Sequence, residues 1–319
     1  MKKWIMVLGG LLAFQLVLVT VVNLSGDDYG AFRAEEKLLA FNVETIDRLK
    51  VESGDQYVTL EKQDGRWILP ETWNYPADTD AVTRLLNTLS ALNKGWPVAT
   101  TSGAAERFKV AKDDFERKIA FLTGNQEQAT LYIGTSPGFR KAHVRLNGDD
   151  HIFAVTLESW KVSAQADDWL KKDRLLINAP DIDRLAMADV VLTRSDMTLQ
   201  PDDLSEQEKP DTAAISNLIH QIAGLQIQSI LGIEDSEDYQ LNKPVLEIDV
   251  TLKNGDVFNY RFSKPDAESD YYILKRSDLP YYFTVAEFSV DALREIGRST
   301  LVREGDEDEA GDERMEYEE

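Results

Sequence analysis

Apolar positions recur along this chain in two five-residue ladders with the same internal steps. Val82, Leu85, Leu86, Leu89 and Leu92 form the first, and Ile215, Leu218, Ile219, Ile222 and Leu225 form the second. That spacing puts all five side chains on one face of an α-helix. Polar residues able to cap a helix precede each ladder, Asp78-Thr79 in one case and Asp211-Thr212 in the other.

Alternating runs surround the ladders and predict strands. Ile46-Asp47-Arg48-Leu49 leads a strand through Val51, and Tyr57 to Leu60 alternates as a second. After the Asp64-Gly65 turn, Trp67-Ile68-Leu69-Pro70 closes a meander. Beyond the first ladder a short helix is expected around Ala104 to Phe108. Two hairpins follow, one around Gly124-Asn125 and one around Asn147-Gly148, the latter pair being a strong turn signal. An amphipathic helix over about residues 158–170, carrying Trp160 and Trp169, ends this half.

The second half runs through the same order. Ile182-Asp183-Arg184-Leu185 matches Ile46-Asp47-Arg48-Leu49, the second ladder follows, and Asn254-Gly255 turns a hairpin. Phe283-Thr284-Val285 answers Phe153-Ala154-Val155, and a closing helix is expected over residues 287–296. Matching positions drift only from 136 apart (46 and 182) to 133 (82 and 215) and 130 (153 and 283), as loops absorb the difference. A period of that size implies two whole domains of similar fold.

The N-terminus follows a different pattern. Lys2 and Lys3 precede Trp4 to Leu24, 21 residues without a charge, and Asp27-Asp28 follow. As a helix this run spans roughly 30 Å, the thickness of a bilayer's hydrocarbon core. The charge order predicts a cytoplasmic N-terminus and an exported body. A cleaved signal peptide is the alternative, but its apolar stretch is shorter and ends in a small-x-small site, unlike Val22-Asn23-Leu24-Ser25-Gly26.

Charge and composition narrow the function. Of 319 residues, 57 are acidic and 35 basic, a formal net charge of −22. Nucleic-acid binding needs a basic footprint, and the sequence shows no Lys/Arg cluster to supply one. Residues 304–319 hold ten acidic side chains and one Arg and carry too little apolar surface to fold. The absence of cysteine excludes disulfides and thiolate chemistry.

Candidate chemistry is sparse. Gly134-Thr135-Ser136-Pro137-Gly138 matches the G-x-S-x-G nucleophile elbow. That elbow needs a backbone N–H on the residue after the serine, and Pro137 has none; a hairpin loop is expected instead. His143, His151 and His220 lack metal-ligand spacing. His143 and His151 are expected to face each other on a solvated hairpin. Asp113-Asp114, Asp149-Asp150, Asp167-Asp168 and Asp202-Asp203 lack the calcium-loop pattern. No Walker A or dinucleotide loop occurs, so neither nucleotide nor any other cofactor is expected. Trp67 alternates as a core residue. Trp73 lies in a loop, and Trp73 with Tyr75 is the expected partner-binding surface.

The repeated order, with Gly65-Arg66-Trp67-Ile68-Leu69-Pro70, Asp80 to Leu92, Tyr132-Ile133-Gly134 and Phe153-Ala154-Val155, resembles an uncharacterised domain-of-unknown-function family of membrane-anchored bacterial envelope proteins. Its genes lie beside gliding-motility-type ABC transporter components. The likeness covers about residues 40–175 well and the second copy less well. It implies an accessory role to a membrane transport complex and carries over no active-site residue.

Together these features predict an α+β protein: a transmembrane anchor (1–25), a stalk (26–44), two tandem repeats of antiparallel sheet with packed helices (45–178 and 179–303) and a disordered acidic tail (304–319). The expected function is a non-enzymatic accessory or binding subunit of an envelope ABC-type transport complex. It would span the inner membrane once, with periplasmic domains and transporter membrane subunits as partners. An envelope hydrolase acting on cell-wall or carbohydrate material, with two carboxylates converging in a cleft, and a structural scaffold are the alternatives.

Overall fold

The computed structural model describes residues 36–304 together with Leu12, Phe14 and Gln15. The rest of the uncharged run, the stalk before residue 36 and the tail beyond Glu304 lie outside the described residues.

The chain is built mainly of antiparallel strands. The first half contains β1 (Arg48–Ser53), β2 (Gln56–Gln63), β3 (Arg66–Leu69), β4 (Tyr75–Pro76), α1 (Thr79–Ser90), β5 (Pro97–Ala99), α2 (Ser102–Arg107), β6 (Arg117–Thr123), β7 (Gln126–Ile133), β8 (Lys141–Leu146) and β9 (Ile152–Thr156). The second contains β10 (Ile182–Met187), β11 (Val190–Ser195), β12 (Thr198–Pro201), β13 (Glu208–Pro210), α3 (Thr212–Ala223), β14 (Ser229–Gly232), β15 (Leu246–Leu252), β16 (Val257–Ser263), β17 (Tyr271–Arg276), β18 (Tyr282–Ala286), α4 (Glu287–Arg294), α5 (Arg298–Leu301) and β19 (Val302–Glu304).

The nine-stranded sheet has the order β4-β3-β2-β1-β6-β7-β8-β9-β5, the eight-stranded sheet β12-β11-β10-β15-β16-β17-β18-β14, and β13 pairs with β19. The two large sheets follow one scheme. A meander leads into its own first strand, which pairs with the first strand of a second meander, and an edge strand from the crossover closes the far side.

This corrects the expected fold class. Among the described residues the protein is mostly antiparallel sheet, nineteen strands in three sheets with few helices, rather than α+β; the expected leading membrane helix falls, apart from Leu12, Phe14 and Gln15, on residues outside those described. No helix among the described residues is long and apolar enough to cross a membrane. The amphipathic helix expected over 158–170 is also absent. In its place two 3-10 turns, Ser159–Lys161 and Ala166–Asp168, flank an extended stretch. Ser163, Asp167 and Asp168 are poor helix-interior residues because their side chains compete for backbone hydrogen bonds.

The chain divides into two compact units. Of the described residues, one unit comprises those up to Thr59 and Asp80–Ala164, the other Leu60–Thr79 and those from Gln165 on. In the first, the α1 ladder is buried, Val82, Leu85, Leu86 and Leu89 at 7% exposure or less. Each such side chain contributes about 1.5–3 kcal/mol relative to exposure. In the second, Ile215, Leu218 and Ile222 of α3 are buried in the same way. Trp67 is buried too, as its alternation implies.

Both sheets contain a buried Arg opposite a Tyr. Tyr132 of β7 pairs with Arg145 of β8, and Tyr260 of β16 with Arg276 of β17. The guanidinium of Arg145 lies 4.7 Å from the Tyr132 ring centre and that of Arg276 5.5 Å from Tyr260. Each Arg also donates to loop carbonyls, Arg145 to Val110 at 2.8 Å and Arg276 to Leu175 at 2.9 Å. A buried guanidinium needs such partners to offset its lost hydration.

Candidate functional site

An open, largely apolar recess of the second unit lies beside α3. The helix is held firmly at its N-terminus. Asp211 caps it, its Oδ1 accepting from the backbone N–H of Ala213 at 3.2 Å and of Ala214 at 3.0 Å. Arg303 of β19 donates to the other Asp211 oxygen at 2.6 Å. Nearby, Arg298 grips both oxygens of Glu208 at 2.8 and 2.7 Å and reaches Asp203 at 2.6 Å.

That grip predicts a pH response. The Arg298 guanidinium holds the Glu208 carboxyl down at about 2, from an ordinary 4.5. A depressed folded pKa gives stability that is fully present above about 4.5 and is lost as pH falls toward 2. Denaturation midpoints measured across that window are expected to fall more steeply in the wild type than in Glu208→Gln. Parallel curves would refute this.

Across from α3, the β11–β12 hairpin turns at Asp196, which adopts a left-handed φ of 55°. Arg194 braces the turn from beneath. It donates to the carbonyls of Met197 at 3.0 Å and Pro180 at 3.3 Å and to that of Ile182. Its charge serves the hairpin rather than a ligand. Between hairpin and helix lies a cleft of about 410 Å³. Pro180, Met197, Leu199, Ile215 and Ile219 give it an apolar lining, and Ser216, His220, Asp196 and Lys253 add polar groups. Met197 is 89% exposed. Ile219 is the member of the second ladder's helix that remains only half-buried.

His220 Nδ1 lies 2.7 Å from the Ser216 carbonyl oxygen. A carbonyl only accepts, so Nδ1 carries a proton and donates it to this bond. The cleft thus suits an apolar body with a polar edge. It contains a single carboxylate, Asp196, among its lining residues. The paired acids of a glycosidase are therefore not assembled there.

The residues singled out in the sequence are dispersed. Trp73 is 42% exposed, with φ 50°, and its ring lies against Gly232 of β14. Tyr75 is fully buried, which corrects the expectation that it shares an exposed surface with Trp73. Its hydroxyl donates to the Lys171 carbonyl at 3.1 Å, and its ring packs edge-on to Tyr281 at 4.9 Å. Burial raises its pKa. Alternation could not have shown this, because Tyr75 follows two residues of positive φ, Trp73 and Asn74, that redirect the chain.

His143 and His151 do not face each other. His143 pairs in register with Ala154, is 7% exposed, and sits 2.9 Å from the Thr135 hydroxyl. Burial pushes its pKa down. His151 lies 2.6 Å from Asp149 instead. Among the described residues no group of three His, Cys, Asp or Glu side chains is placed to hold a metal. Ser136 Oγ lies 2.7 Å from the carbonyls of both Gly138 and Lys141, a loop-bracing position.

Fold and cleft together define an antiparallel β protein built on one strand order used twice. The chain belongs to the family of proteins with a domain of unknown function designated DUF4340, whose profile matches residues 67–244. No curated protein and no solved structure matches it significantly. The matched region begins in β3 and ends just before β15, so it crosses the boundary at residue 178 that the sequence repeat suggests.

Proposed function

We propose that this chain is a non-enzymatic, partner-binding subunit of an envelope ABC-type transport complex, with its folded units on the periplasmic side of the inner membrane. The α3 cleft carries the reading. It presents apolar side chains and a fully exposed methionine on an otherwise strongly acidic chain, the character of a surface that receives another molecule. Trp73 offers a second apolar contact in the same unit. The charge order of the N-terminus supports export, because Lys2-Lys3, an uncharged run and Asp27-Asp28 direct the following residues across a membrane. The resemblance noted from the sequence supports the transport setting.

The test is recovery of partners from cells expressing the full chain after mild crosslinking. Ile219→Glu places a charge in the cleft wall at the half-buried ladder position and leaves the buried Ile215, Leu218 and Ile222 in place. It is expected to reduce recovery of a transporter membrane subunit about tenfold while the unfolding midpoint stays near that of the wild type. Undiminished recovery, or recovery of the wild type with no transporter component, refutes the reading. Cell fractionation tests the placement separately.

A further inference from the structure

The first unit carries a cluster unrelated to the cleft. Phe139 is 87% exposed and Trp160 66% exposed, although both are large aromatics. Phe139 lies in the β7–β8 connection and Trp160 in the 3-10 turn after β9. The pairing of Lys141 with Thr156 brings these two connections to the same end of the β8–β9 ladder. Each ring has a cation over it: the Arg140 guanidinium is 5.0 Å from the Phe139 centre, and the Lys161 ammonium is 5.4 Å from that of Trp160. One carboxylate, Glu158, joins the two halves, accepting from Arg140 at 3.0 Å and from Lys161.

We infer that this aromatic and cationic cluster docks on the headgroup layer of an anionic lipid bilayer. Amphipathic aromatic rings settle at that depth, and flanking Lys and Arg are drawn to anionic lipid. The cations Arg140, Lys141 and Lys161 outnumber Glu158 three to one, on a chain whose net charge is −22. A surface of the opposite sign to the rest of the molecule selects an anionic partner. The rings protrude from turns instead of lining a recess, which suits insertion into a soft headgroup layer better than a protein hot spot, where anchors fill pockets. The setting follows from the periplasmic placement proposed above, but the patch can be tested without it.

The absence of native cysteine permits a single probe on the full chain. Phe139→Cys, labelled with a polarity-sensitive fluorophore, is reconstituted into phosphatidylcholine bilayers with or without about one third phosphatidylglycerol. A blue shift of emission only in the anionic bilayer is expected. Arg140→Glu with Lys161→Glu in the labelled chain should abolish it, raising the anionic lipid needed for half the shift about tenfold or more. Both positions are on exposed turns, and an unchanged circular dichroism spectrum confirms the fold. The same emission in both bilayers, or a shift that survives the charge reversal, overturns the inference. Because the bilayer is supplied in vitro, a negative result here is distinct from failed periplasmic fractionation, which counts against the placement alone.

Discussion

Gly134→Ala is expected to destabilise the first unit by about 3 kcal/mol, near the top of the range for forcing volume into a packed site. A Cβ at this position would stand 2.0 Å from the Phe108 carbonyl oxygen and 2.3 Å from that of Lys109. Both obstacles are backbone atoms and cannot swing aside as a side chain would. Hydrogen bonds fix them further: Thr135 N–H donates to the Phe108 oxygen at 2.9 Å, and Glu116 N–H to the Lys109 oxygen at 3.3 Å. Lys109 already sits at a φ of 57°, which limits how its peptide can turn. Gly138→Ala, in the same motif, meets nothing within 4 Å. It should change stability by less than about 0.5 kcal/mol. Urea denaturation of the two variants separates them. Equal midpoints would show that residues 108–109 yield. The pair also settles what the G-x-S-x-G spacing means here: the first glycine allows two backbones to touch, and Ser136 braces the loop that follows.

Much of the sheet scaffold is readable from local sequence. Hairpin turns announce themselves where glycine takes a left-handed φ, as at Gly148 (81°) and Gly255 (90°). Both ladders form helices because a 3.6-residue period is a property of the helix alone. The errors come from features that period and propensity do not encode. Edge strands β5 and β14 are three and four residues long, too short to alternate detectably. The 158–170 segment has helical spacing of its apolar residues but Ser163 near its centre and paired aspartates in its last turn, and the local hydrogen-bonding preference prevails. Tyr75 looks like a surface residue because it follows a polar turn, and His143 because it alternates with the apolar Ala142 and Val144; only long-range packing buries them. The cleft left the weakest trace. Its walls come from Pro180, the β11–β12 turn, α3 and Lys253, and no local rule brings these together. One signal was available in Met197, an apolar residue set in a polar turn between Asp196 and Thr198.

Replacing Arg276 should have the largest effect in the second unit. The side chain is 4% exposed and uses all five of its N–H donors. Nε and one Nη hold the two oxygens of Asp278 at 2.6 and 3.0 Å. The remaining donors reach the Leu175 carbonyl at 2.9 Å, the Arg174 carbonyl at 3.1 Å and the Tyr260 hydroxyl at 3.2 Å. The Phe258 ring, 4.8 Å from the guanidinium carbon, adds a cation–π contact. Arg276→Met keeps the bulk but leaves Asp278 without its counter-charge and the two carbonyls without a donor. Asp278 is 33% exposed and stays partly hydrated, so the loss falls mainly on the two carbonyls, about 2–4 kcal/mol together. Arg276→Lys retains the charge yet offers a single point donor in place of a planar fork, so it should recover less than half of the loss. The double variant Arg276→Met with Asp278→Asn identifies the source. If the stranded carboxylate dominates, the double variant is more stable than the single one; if the loop carbonyls dominate, the two are equal. A single variant within about 1 kcal/mol of wild type by urea denaturation would show that residues 174–175 find water or another donor. The buried guanidinium would then be a relic of the strand order rather than one of its supports.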